Sequence, residues 1–432
     1  MTATTVNTYA EAAGRICDRG DDLRIVAGMY PGQPDDLLRA VVAEARRRDI
    51  RLTILLADLT GRLRFLGGQT DPADGPGPAP RLVTIGGRAP VPPLPAADYL
   101  PNSLWEIARR FTDGSVPVDV FVGVAAPPRA DGSCSLGPML SYGPAALAAA
   151  GYTVLEINHG IPATPGWPGP HRDELDLLVD AGADQPAELR RAKVGPLHRA
   201  IGDRLAGLIP DGATLQLGIG SIPEGFLASL AGRRDLGIHS GAIPEAAIEL
   251  IEAGVFTGHK KSADAGLHLT TSLLGTRRLY EYAADPAHRI RLEPVSVTHD
   301  PAALLAQHRL YSVNSALEVD LTGQASAEWV AGRRLSSGGG QIDFGKWAHI
   351  GDGAHIIALP ARSADGRPRI TPTLSAPHVV TTHRNDVDLV VTEYGAADLR
   401  GRTAEQRCAA LVGIAHPDDR AGLRAAWERG PE

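Results

Sequence analysis

The sequence predicts an α/β fold with mostly parallel sheets. Short apolar runs of strand length alternate with amphipathic helical segments, and the alternation begins again after a charged stretch between residues 173 and 193. Continuous apolar runs are typical of strands that are buried on both faces of a parallel sheet, with helices packed over them. With 432 residues, the chain is long enough for two or three domains, and we divide it into residues 1–190 and 191–432.

The individual elements follow from periodicity and from runs of apolar residues. Residues 35–48 are predicted as a helix because Leu37, Leu38 and Val41 fall on one stripe. The other predicted helices are 195–208, 223–231 and 245–253. The predicted strands are 24–27, 52–57, 118–124, 153–157, 214–217, 236–239, 356–359, 379–382 and 389–392. Ligands of such sheets bind at the carboxyl ends of the strands, so we expect the site in the loops that follow them.

Charge and cysteine usage exclude several classes of function. The 43 Lys and Arg residues against 50 Asp and Glu residues give a net charge of −7, so neither nucleic acid nor an anionic membrane is expected as a partner. No apolar stretch reaches the length of about 18 residues that a membrane span needs. Cys17, Cys134 and Cys408 form no CxxC pair, and the first residues show no secretory signal. We therefore expect a cytoplasmic protein.

Residues 218–223 form a glycine-rich segment between a predicted strand and a predicted helix. The pattern is similar to G-x-G-x-x-G, but Pro223 occupies the third glycine position, where a dinucleotide-binding helix needs a small residue. Nicotinamide binding is therefore disfavoured, and two interpretations stay open: a tight turn, or a loop whose backbone amides face an anionic ligand. His378 and His383 are five residues apart without a further ligand pair, so we expect no metal.

Two more segments combine polar residues with an apolar strand or with glycines. In residues 314–323, alternation puts Ala316, Glu318 and Asp320 on one face, and a carboxylate inside an apolar strand is costly unless it is solvated or paired. An edge strand with a wet polar face is the alternative to a functional site there. In residues 336–344, three consecutive glycines let backbone amides approach a ligand closely, and a flexible surface turn is the alternative.

Eight stretches of the second half match, in order, the motifs of one family. They are residues 215–223, 250–254, 314–324, 339–344, 356–360, 391–395, 397–401 and 415–418. Residues 214–420 therefore resemble the acetyl-CoA hydrolase/transferase family, whose members include 4-hydroxybutyrate, butyrate and succinate CoA-transferases. The first half matches at fewer places, which are residues 127–128, 131–137, 156–158 and Pro162, so the resemblance covers most of the chain.

The resemblance implies two similar open-sheet α/β domains with the active site between them, and it assigns the nucleophile to Glu318. A carboxylate is ionised at neutral pH, so it needs no partner base to attack an acyl-CoA thioester. The attack would give a mixed glutamyl anhydride and CoA thiolate, which then form a glutamyl-CoA thioester. Each oxyanion needs N–H donors, and the resemblance implies Gly395 and the loop of Val295, Ser296 and Val297 for that role.

The other site residues come from the same resemblance. Gly339, Gly340 and Gln341 are similar to the family stretch beside the coenzyme A site. The residues that we place around the acyl pocket are Gln216, Gly218, Gly220, His239 and Asn314.

Two residues depart from the family pattern near the expected pocket. Gly241 stands where relatives carry a bulkier and often acidic residue, and Trp347 stands where relatives carry glycine. We therefore expect a reshaped pocket, with acetyl-CoA as a poor substrate and a longer or functionalised acyl group preferred.

The resemblance implies a CoA-transferase acting on an acyl-CoA and a carboxylic acid, with coenzyme A as co-substrate, no metal and a homodimeric assembly. An acyl-CoA hydrolase that uses the same Glu318 is the nearest alternative, because only the access of water separates the two reactions. A non-catalytic CoA-binding protein is disfavoured, since binding alone calls for no carboxylate in an apolar strand. A sugar-phosphate isomerase is the fourth alternative, without a phosphate signature beyond the glycine loops.

Overall fold

The structure is a computed structural model, and it describes residues 3–66, 77–91 and 97–430. The chain forms two compact units, one of Met1–Leu189 with Thr271–Val297 and one of Arg190–Thr270 with Thr298–Glu432. The expected division at residues 190 and 191 therefore lies next to the first crossing, but it misses the return of Thr271–Val297 to the first unit. Backbone hydrogen bonds explain that return, because the Leu292 N–H donates to the Pro165 carbonyl at 2.9 Å.

The strands and helices are numbered in chain order. The strands are β1 (Thr4–Val6), β2 (Asp22–Ala27), β3 (Arg51–Asp58), β4 (Arg81–Gly87), β5 (Asp98–Tyr99), β6 (Val120–Ala125), β7 (Tyr152–Asn158), β8 (Leu177–Ala183), β9 (Thr214–Gln216), β10 (Gly237–Ser240), β11 (Ile243–Pro244), β12 (His268–Thr270), β13 (Leu273–Leu274), β14 (Ile290–Leu292), β15 (Leu310–Ser315), β16 (Glu318–Asp320), β17 (Ala325–Ser326), β18 (Trp329–Val330), β19 (Arg333–Arg334), β20 (Ala354–Ala358), β21 (Ile370–Thr371), β22 (Leu389–Thr392) and β23 (Gly395–Asp398).

The α-helices are α1 (Tyr9–Cys17), α2 (Asp35–Arg47), α3 (Leu104–Thr112), α4 (Gly143–Ala149), α5 (Pro196–Leu208), α6 (Ser221–Ala228), α7 (Ala247–Glu252), α8 (Arg277–Ala284), α9 (Val295–Thr298), α10 (Pro301–Leu305), α11 (Gln341–Ile350), α12 (Ala404–Ile414) and α13 (Arg420–Arg429). Short 3₁₀ turns cover Arg64–Leu66, Arg172–Glu174, Pro286–His288, Arg384–Asp386 and Pro417–Asp419. Among the described residues, no helix has both the length and the apolar character that crossing a membrane requires.

The first unit is built on a parallel sheet with the strand order β1-β8-β7-β6-β2-β3-β4-β5. Every residue of β6 is buried, as its uninterrupted apolar sequence predicts. Helix α2 buries Leu37, Leu38 and Val41 in the core of this unit. Its first turn is acidic and its last turn is basic, which suits the helix dipole at both ends. The predicted α/β architecture is therefore confirmed here.

The second unit has its own sheet, in which the strand order is β12-β10-β9-β15-β20-β22-β23. The strands pair in parallel, except that β23 folds back antiparallel to β22. The carboxyl ends of the parallel strands therefore meet at one edge of the sheet. The segments that begin at Leu217, Gly241, Ala316 and Glu393 all leave the sheet at that edge, which gathers most of the predicted site residues of this unit.

A small three-stranded sheet carries the segment that was predicted as one alternating strand. The chain leaves β15 at Ser315 and enters β16 only at Glu318, so the segment forms two strands rather than one. Strand β16 lies between β17, to which it is antiparallel, and β21, to which it is parallel. Glu318 and Asp320 are 6% and 2% exposed. The edge-strand interpretation with a wet polar face is therefore wrong.

One predicted strand is absent. Residues 379–382 were expected to form a strand, but in this part of the described chain only Thr382 makes an isolated bridge, to Ala325. The reason lies just before the segment, where His378 has a positive φ of 61° and the chain turns instead of running on extended. The three cysteines are free and buried.

Candidate active site

Glu318 begins β16, and its carboxylate is held by one oxygen. Oε2 accepts a hydrogen bond from the backbone N–H of Ser375 at 2.9 Å and a second one from the Ser375 hydroxyl at 2.8 Å. Among the residues that the structure describes, no group donates a hydrogen bond to Oε1. The side chain is 6% exposed. Oε1 could therefore act as a nucleophile without first losing a hydrogen-bond donor among the described residues.

The hydroxyl of Ser375 is itself oriented by the backbone. Its Oγ accepts the N–H of Ala331 at 2.9 Å. A serine hydroxyl has one proton, and with Ala331 donating to Oγ that proton is directed at Glu318. Both hydrogen bonds to Oε2 therefore come from groups with a fixed orientation.

A ladder of hydrogen bonds connects the strand of Glu318 with the segment of Gly395. The Val319 N–H donates to the Arg369 carbonyl at 2.8 Å, and the Arg369 N–H donates to the Ala361 carbonyl at 2.9 Å. The Ala361 N–H then donates to Oε2 of Glu393 at 2.9 Å. Glu393 stands two residues before Gly395, which opens β23. The structure thus brings both predicted catalytic segments into one backbone framework.

Arg369 supplies positive charge beside this framework. Its Nη1 donates to the Ala316 carbonyl at 3.4 Å, and its Nε has no hydrogen-bond partner among the described residues. Burial lowers the pKa of Arg369, while the Glu318 carboxylate is among the groups that act in the opposite direction. The guanidinium remains cationic at neutral pH and places a positive charge near Glu318.

The predicted acyl-pocket residues Gln216 and Asn314 lie side by side on neighbouring strands. Oε1 of Gln216 accepts hydrogen bonds from the Ser312 hydroxyl at 2.7 Å and from Nδ2 of Asn314 at 3.1 Å. Nδ2 of Asn314 also lies 2.8 Å from Oγ of Ser312. Register explains the cluster, because Gln216 pairs with Ser312 where β9 meets β15. Ser312 is fully buried and completes the cluster, although the sequence did not single it out.

His239, another predicted pocket residue, lies in a buried aromatic cluster. Its Nε2 is 2.9 Å from the Thr298 carbonyl, and its ring meets Phe344 edge-on at 6.3 Å. His299 packs against the same phenylalanine at 4.7 Å. Burial first, and Lys261 second, lower the pKa of His239 to about 4. Burial first, and His239 second, lower the pKa of His299 to about 3. Both rings are therefore neutral at physiological pH.

Two predicted glycines face His299. A Cβ on Gly340 would lie 2.8 Å from Nε2 of His299, and a Cβ on Gly241 would lie 3.1 Å from the same atom. Nε2 of His299 has no hydrogen-bond partner among the described residues. The position that relatives fill with a larger side chain at 241 is therefore occupied by the imidazole in this chain. A side chain at 241 would therefore compete with the imidazole for space, and the expected reshaped pocket stays a prediction.

The predicted coenzyme A stretch forms the amino-terminal end of α11. Gly339 has a φ of +54° and open space where a Cβ would be, whereas Gly340 is the N-cap. Gln341 is buried, and its Nε2 donates to Oγ1 of Thr382 at 3.0 Å. The Thr382 N–H donates in turn to the Ala325 carbonyl of β17 at 3.0 Å, beside β16. The glycine segment is therefore tied to the three-stranded sheet that carries Glu318 rather than being a free surface turn.

Two amides of the predicted loop of residues 295–297 are engaged within the first unit, and Trp347 lies in an apolar cluster. The Val295 N–H donates to the Ser141 carbonyl at 3.2 Å and the Val297 N–H to the Pro294 carbonyl at 2.9 Å, within the first unit. Two of the three amides expected to hold an oxyanion are thus already engaged, and Ser296 stands between them. Trp347 packs with Leu304 in a small apolar cluster, so its observed contacts suit a structural role.

The two glycines of the 218–223 segment fit a turn that starts a helix. Gly220 has a φ of +107° and is the N-cap of α6. A Cβ on Gly218 would lie 3.2 Å from Cγ of Pro223. Pro223, which argued against a dinucleotide fold, therefore packs against the glycine turn.

Besides Ser312, three residues of this site were missed in the sequence. Ser375 follows Glu318 by 57 positions and belongs to no motif that the sequence showed. Arg369 sits just before β21, and His299 follows the predicted loop of residues 295–297. The sequence held a signal for His299, because this histidine comes two residues after the predicted loop. The missing side chain at Gly241 also indicated that another group could fill the place.

The first unit holds a separate cavity of about 540 Å³. Its lining includes Gln33, Asp35, Asp36 and Glu156. Burial first, and the neighbouring Asp36 and Asp35 second, raise the pKa of Glu156 to about 7. Across residues 3–66, 77–91 and 97–430, no group of three or more His, Cys, Asp or Glu side chains is arranged to hold a metal ion.

The chain is similar to known proteins in sequence and in fold. Residues 275–427 match the family model described as acetyl-CoA hydrolase/transferase C-terminal domain. The 4-hydroxybutyrate coenzyme A transferase of Clostridium kluyveri is 38% identical over 335 residues, which cover 77% of this chain and 78% of that protein.

Two solved structures share the fold over almost the whole chain. RipA from Yersinia pestis has a TM-score of 0.85 and 27% identity, covering 99% of this chain and 97% of RipA. The 4-hydroxybutyrate CoA-transferase from Porphyromonas gingivalis has a TM-score of 0.77 and 30% identity, covering 98% of this chain and 97% of its own. The chain therefore belongs to the acetyl-CoA hydrolase/transferase family and is an enzyme of the CoA-transferase kind.

Proposed function

We propose that the enzyme moves coenzyme A between an acyl-CoA and a carboxylic acid through covalent intermediates on Glu318. The observation that supports this most is the unequal environment of the carboxylate, with Oε2 bound by Ser375 and Oε1 without a donor among the described residues. A buried carboxylate that served only structure would be expected to have both oxygens satisfied.

The proposed reaction has four steps. Oε1 of Glu318 attacks the thioester carbonyl, the C–S bond breaks, and CoA leaves as a thiolate while a mixed anhydride remains on the enzyme. The thiolate then attacks Cδ of Glu318, and the first acid leaves as a carboxylate that carries Oε1. A second carboxylate attacks Cδ of the glutamyl thioester and again releases CoA thiolate. That thiolate attacks the carbonyl of the new acyl group, and the Glu318 carboxylate is restored.

The surroundings of Glu318 offer places for both parts of an acyl-CoA. Gln216 and Asn314 form a polar cluster where β9 and β15 meet, and they are our candidates for contact with the acyl end. The start of α11, with Gly339 and Gln341, is our candidate for the CoA end, because exposed amides at a helix start favour anions. Gly395 stays our candidate donor to an oxyanion, on the framework that links Glu393 with β16.

The geometry does not identify which acyl group the enzyme prefers. The expectation that acetyl-CoA is a poor substrate depended on Gly241 and Trp347, and it stays a prediction. A Cβ at 241 would already lie 3.1 Å from Nε2 of His299, so the glycine alone does not define the size of a pocket. We therefore propose the class of reaction and not a chain length. A panel of acyl-CoAs, each with and without a carboxylic acid, would establish the preferred donor and acceptor.

The decisive experiment follows CoA on the protein. Incubation with an acyl-CoA alone, followed by borohydride or hydroxylamine, should modify Glu318 and be visible by peptide mass spectrometry. Glu318→Gln should lose the modification and several orders of magnitude in rate, because an amide is a poor nucleophile. Glu224→Gln is a matched control, since Glu224 is equally buried at 6% in the same unit but pairs with Arg191.

The outcomes separate the alternatives. A modification on a serine or cysteine would contradict the mechanism, as would wild-type activity of Glu318→Gln in a preparation free of deamidation. Steady release of free CoA without any acceptor acid would indicate a hydrolase that uses the same residue. Binding of CoA without turnover of any acyl-CoA would indicate a non-catalytic protein.

A further inference from the structure

Ser375 is the residue that the reaction scheme above leaves without a role. It contributes both a backbone N–H and a hydroxyl to the same atom, Oε2 of Glu318, at 2.9 Å and 2.8 Å. The hydroxyl is oriented because its oxygen accepts the Ala331 N–H at 2.9 Å. Two preorganised donors that converge on one oxygen form the arrangement that stabilises an oxyanion.

The charge on Oε2 changes in a defined way during the reaction. In the free enzyme the carboxylate shares one negative charge between Oε1 and Oε2. In the anhydride and in the glutamyl-CoA thioester, Oε2 is a neutral carbonyl oxygen. Whenever a thiolate or a carboxylate attacks Cδ, the electron pair of the C=O bond moves to Oε2, which becomes a full oxyanion until the leaving group departs. Donors aimed at Oε2 are therefore most effective in these transition states.

We propose that Ser375 is a catalytic residue, whose N–H and hydroxyl form the oxyanion site for attack on the glutamyl carbonyl of Glu318. This role rests on the proposed function, because it requires covalent intermediates on Glu318. Two different carbonyl groups become oxyanions during the reaction, and each needs its own hydrogen-bond donors. Ser375 serves the carbonyl of the enzyme, and the carbonyl of the substrate, which the attack of Oε1 converts into an oxyanion, requires other donors such as Gly395.

The geometry also explains why the serine is held from two sides. A donor that had to reorient during catalysis would spend part of its stabilisation on that reorganisation. Ala331 fixes Oγ from one side, and the backbone N–H of Ser375 is fixed by the chain itself. The site therefore needs no movement of protein groups when the charge develops on Oε2.

The test isolates the glutamyl carbonyl from the substrate carbonyl. The enzyme is first loaded with CoA from an acyl-CoA, freed of small molecules, and then discharged with acetate or hydroxylamine, both of which attack Cδ of Glu318. Ser375→Ala retains the backbone N–H but loses the hydroxyl donor. Because loss of one oxyanion donor typically lowers a rate by about 10²–10³, and one donor remains here, we expect discharge to slow about 10–100-fold.

Two variants control for structure. Ser375→Thr retains a hydroxyl and should recover most of the discharge rate. Ser229→Ala removes another serine that donates to a carboxylate in the same unit, to Asp203 at 2.6 Å, and should discharge as the wild type does. Affinity for CoA and the thermal midpoint of Ser375→Ala should stay close to those of the wild type.

The results decide between the proposals. Discharge of Ser375→Ala at the wild-type rate would overturn the oxyanion role. A slower discharge that is matched by an equal loss of affinity for CoA would overturn it as well. Slow loading together with slow discharge would support it, because loading crosses the same intermediate at Cδ. If the wild-type enzyme forms no covalent CoA adduct, the proposed function itself fails, and that result is distinct from the others.

Discussion

Replacing Gly340 by alanine should push the start of α11 and His299 apart. The backbone of Gly340, with a φ of −87°, is allowed for alanine, so the penalty comes from contact alone. The new Cβ would lie 2.8 Å from Nε2 and 3.2 Å from Cδ2 of His299. Comfortable contact needs about 3.5 Å or more, so one of the two groups must move by about 0.7 Å.

The size of the effect follows from that overlap. Overpacking of this kind costs about 1–3 kcal/mol, and the lower entropy of unfolded alanine returns about 0.4–1 kcal/mol. We expect a net loss of about 1–2 kcal/mol in the free energy of unfolding for Gly340→Ala. His299→Ala removes the ring, so the double variant should be at least about 1 kcal/mol more stable than the sum of the two single effects predicts.

Denaturant titration followed by circular dichroism measures all four members of this cycle. Gly413→Ala is the control, because it lies in α12 with nothing within 4 Å of a new Cβ, and alanine in a helix should stabilise by about 0.5–1 kcal/mol. Additivity of Gly340→Ala and His299→Ala within about 0.5 kcal/mol would refute the contact.

Stability should depend on pH through two effects of opposite sign, one from Glu156 in the first unit and one from His239 and His299 in the second. The pKa of Glu156 lies at about 7 in the folded protein and near 4.5 in the unfolded chain, so between these pH values the folded state holds a proton that the unfolded chain releases. The stabilising effect of this proton is complete below pH 4.5 and is lost as the pH rises through 7, by up to about 3 kcal/mol. Glu156→Gln should flatten that slope in denaturation midpoints measured from pH 4.5 to 8, and an unchanged slope would contradict it. The pKa values of His239 and His299 lie at about 4 and about 3, below the usual 6.5, so their effect is present above pH 6.5 and is lost as the pH falls toward 4. His299→Asn should make the acid side shallower, and a wild-type acid slope in that variant would show that the ring titrates freely.

Local patterns predicted eight strands of the two large sheets, because apolar runs report burial directly. The strand at 389–392 was predicted with the bounds that β22 has, and the helix at 195–208 differs from α5 by one residue. The run at 379–382 is also rich in β-branched residues. Among the described residues only its Thr382 forms a bridge, to Ala325, so the run forms no strand. Composition indicates which segments favour a strand, whereas pairing depends on distant parts of the chain.

The site shows the same limit. Glu318 was identified through its motif, but its hydrogen-bond donor Ser375 comes from a loop that no local pattern connects with it. The surroundings of Gly241 needed the structure for a similar reason. A glycine in the sequence indicates only that a side chain is missing. The structure shows that the ring of His299 lies where a side chain at position 241 would begin.

The return of Thr271–Val297 to the first unit has a consequence for dissecting this enzyme. The family match begins at residue 275, within that returning segment, so a fragment cut there would take chain that belongs to the other unit. A fragment of residues 1–190 would in turn lack the stretch whose Leu292 amide pairs with Pro165. Neither half, cut where the linear sequence divides it, contains a whole unit. Fragment expression, split reporters and domain exchange with relatives would each need two junctions on the inserted segment instead of one.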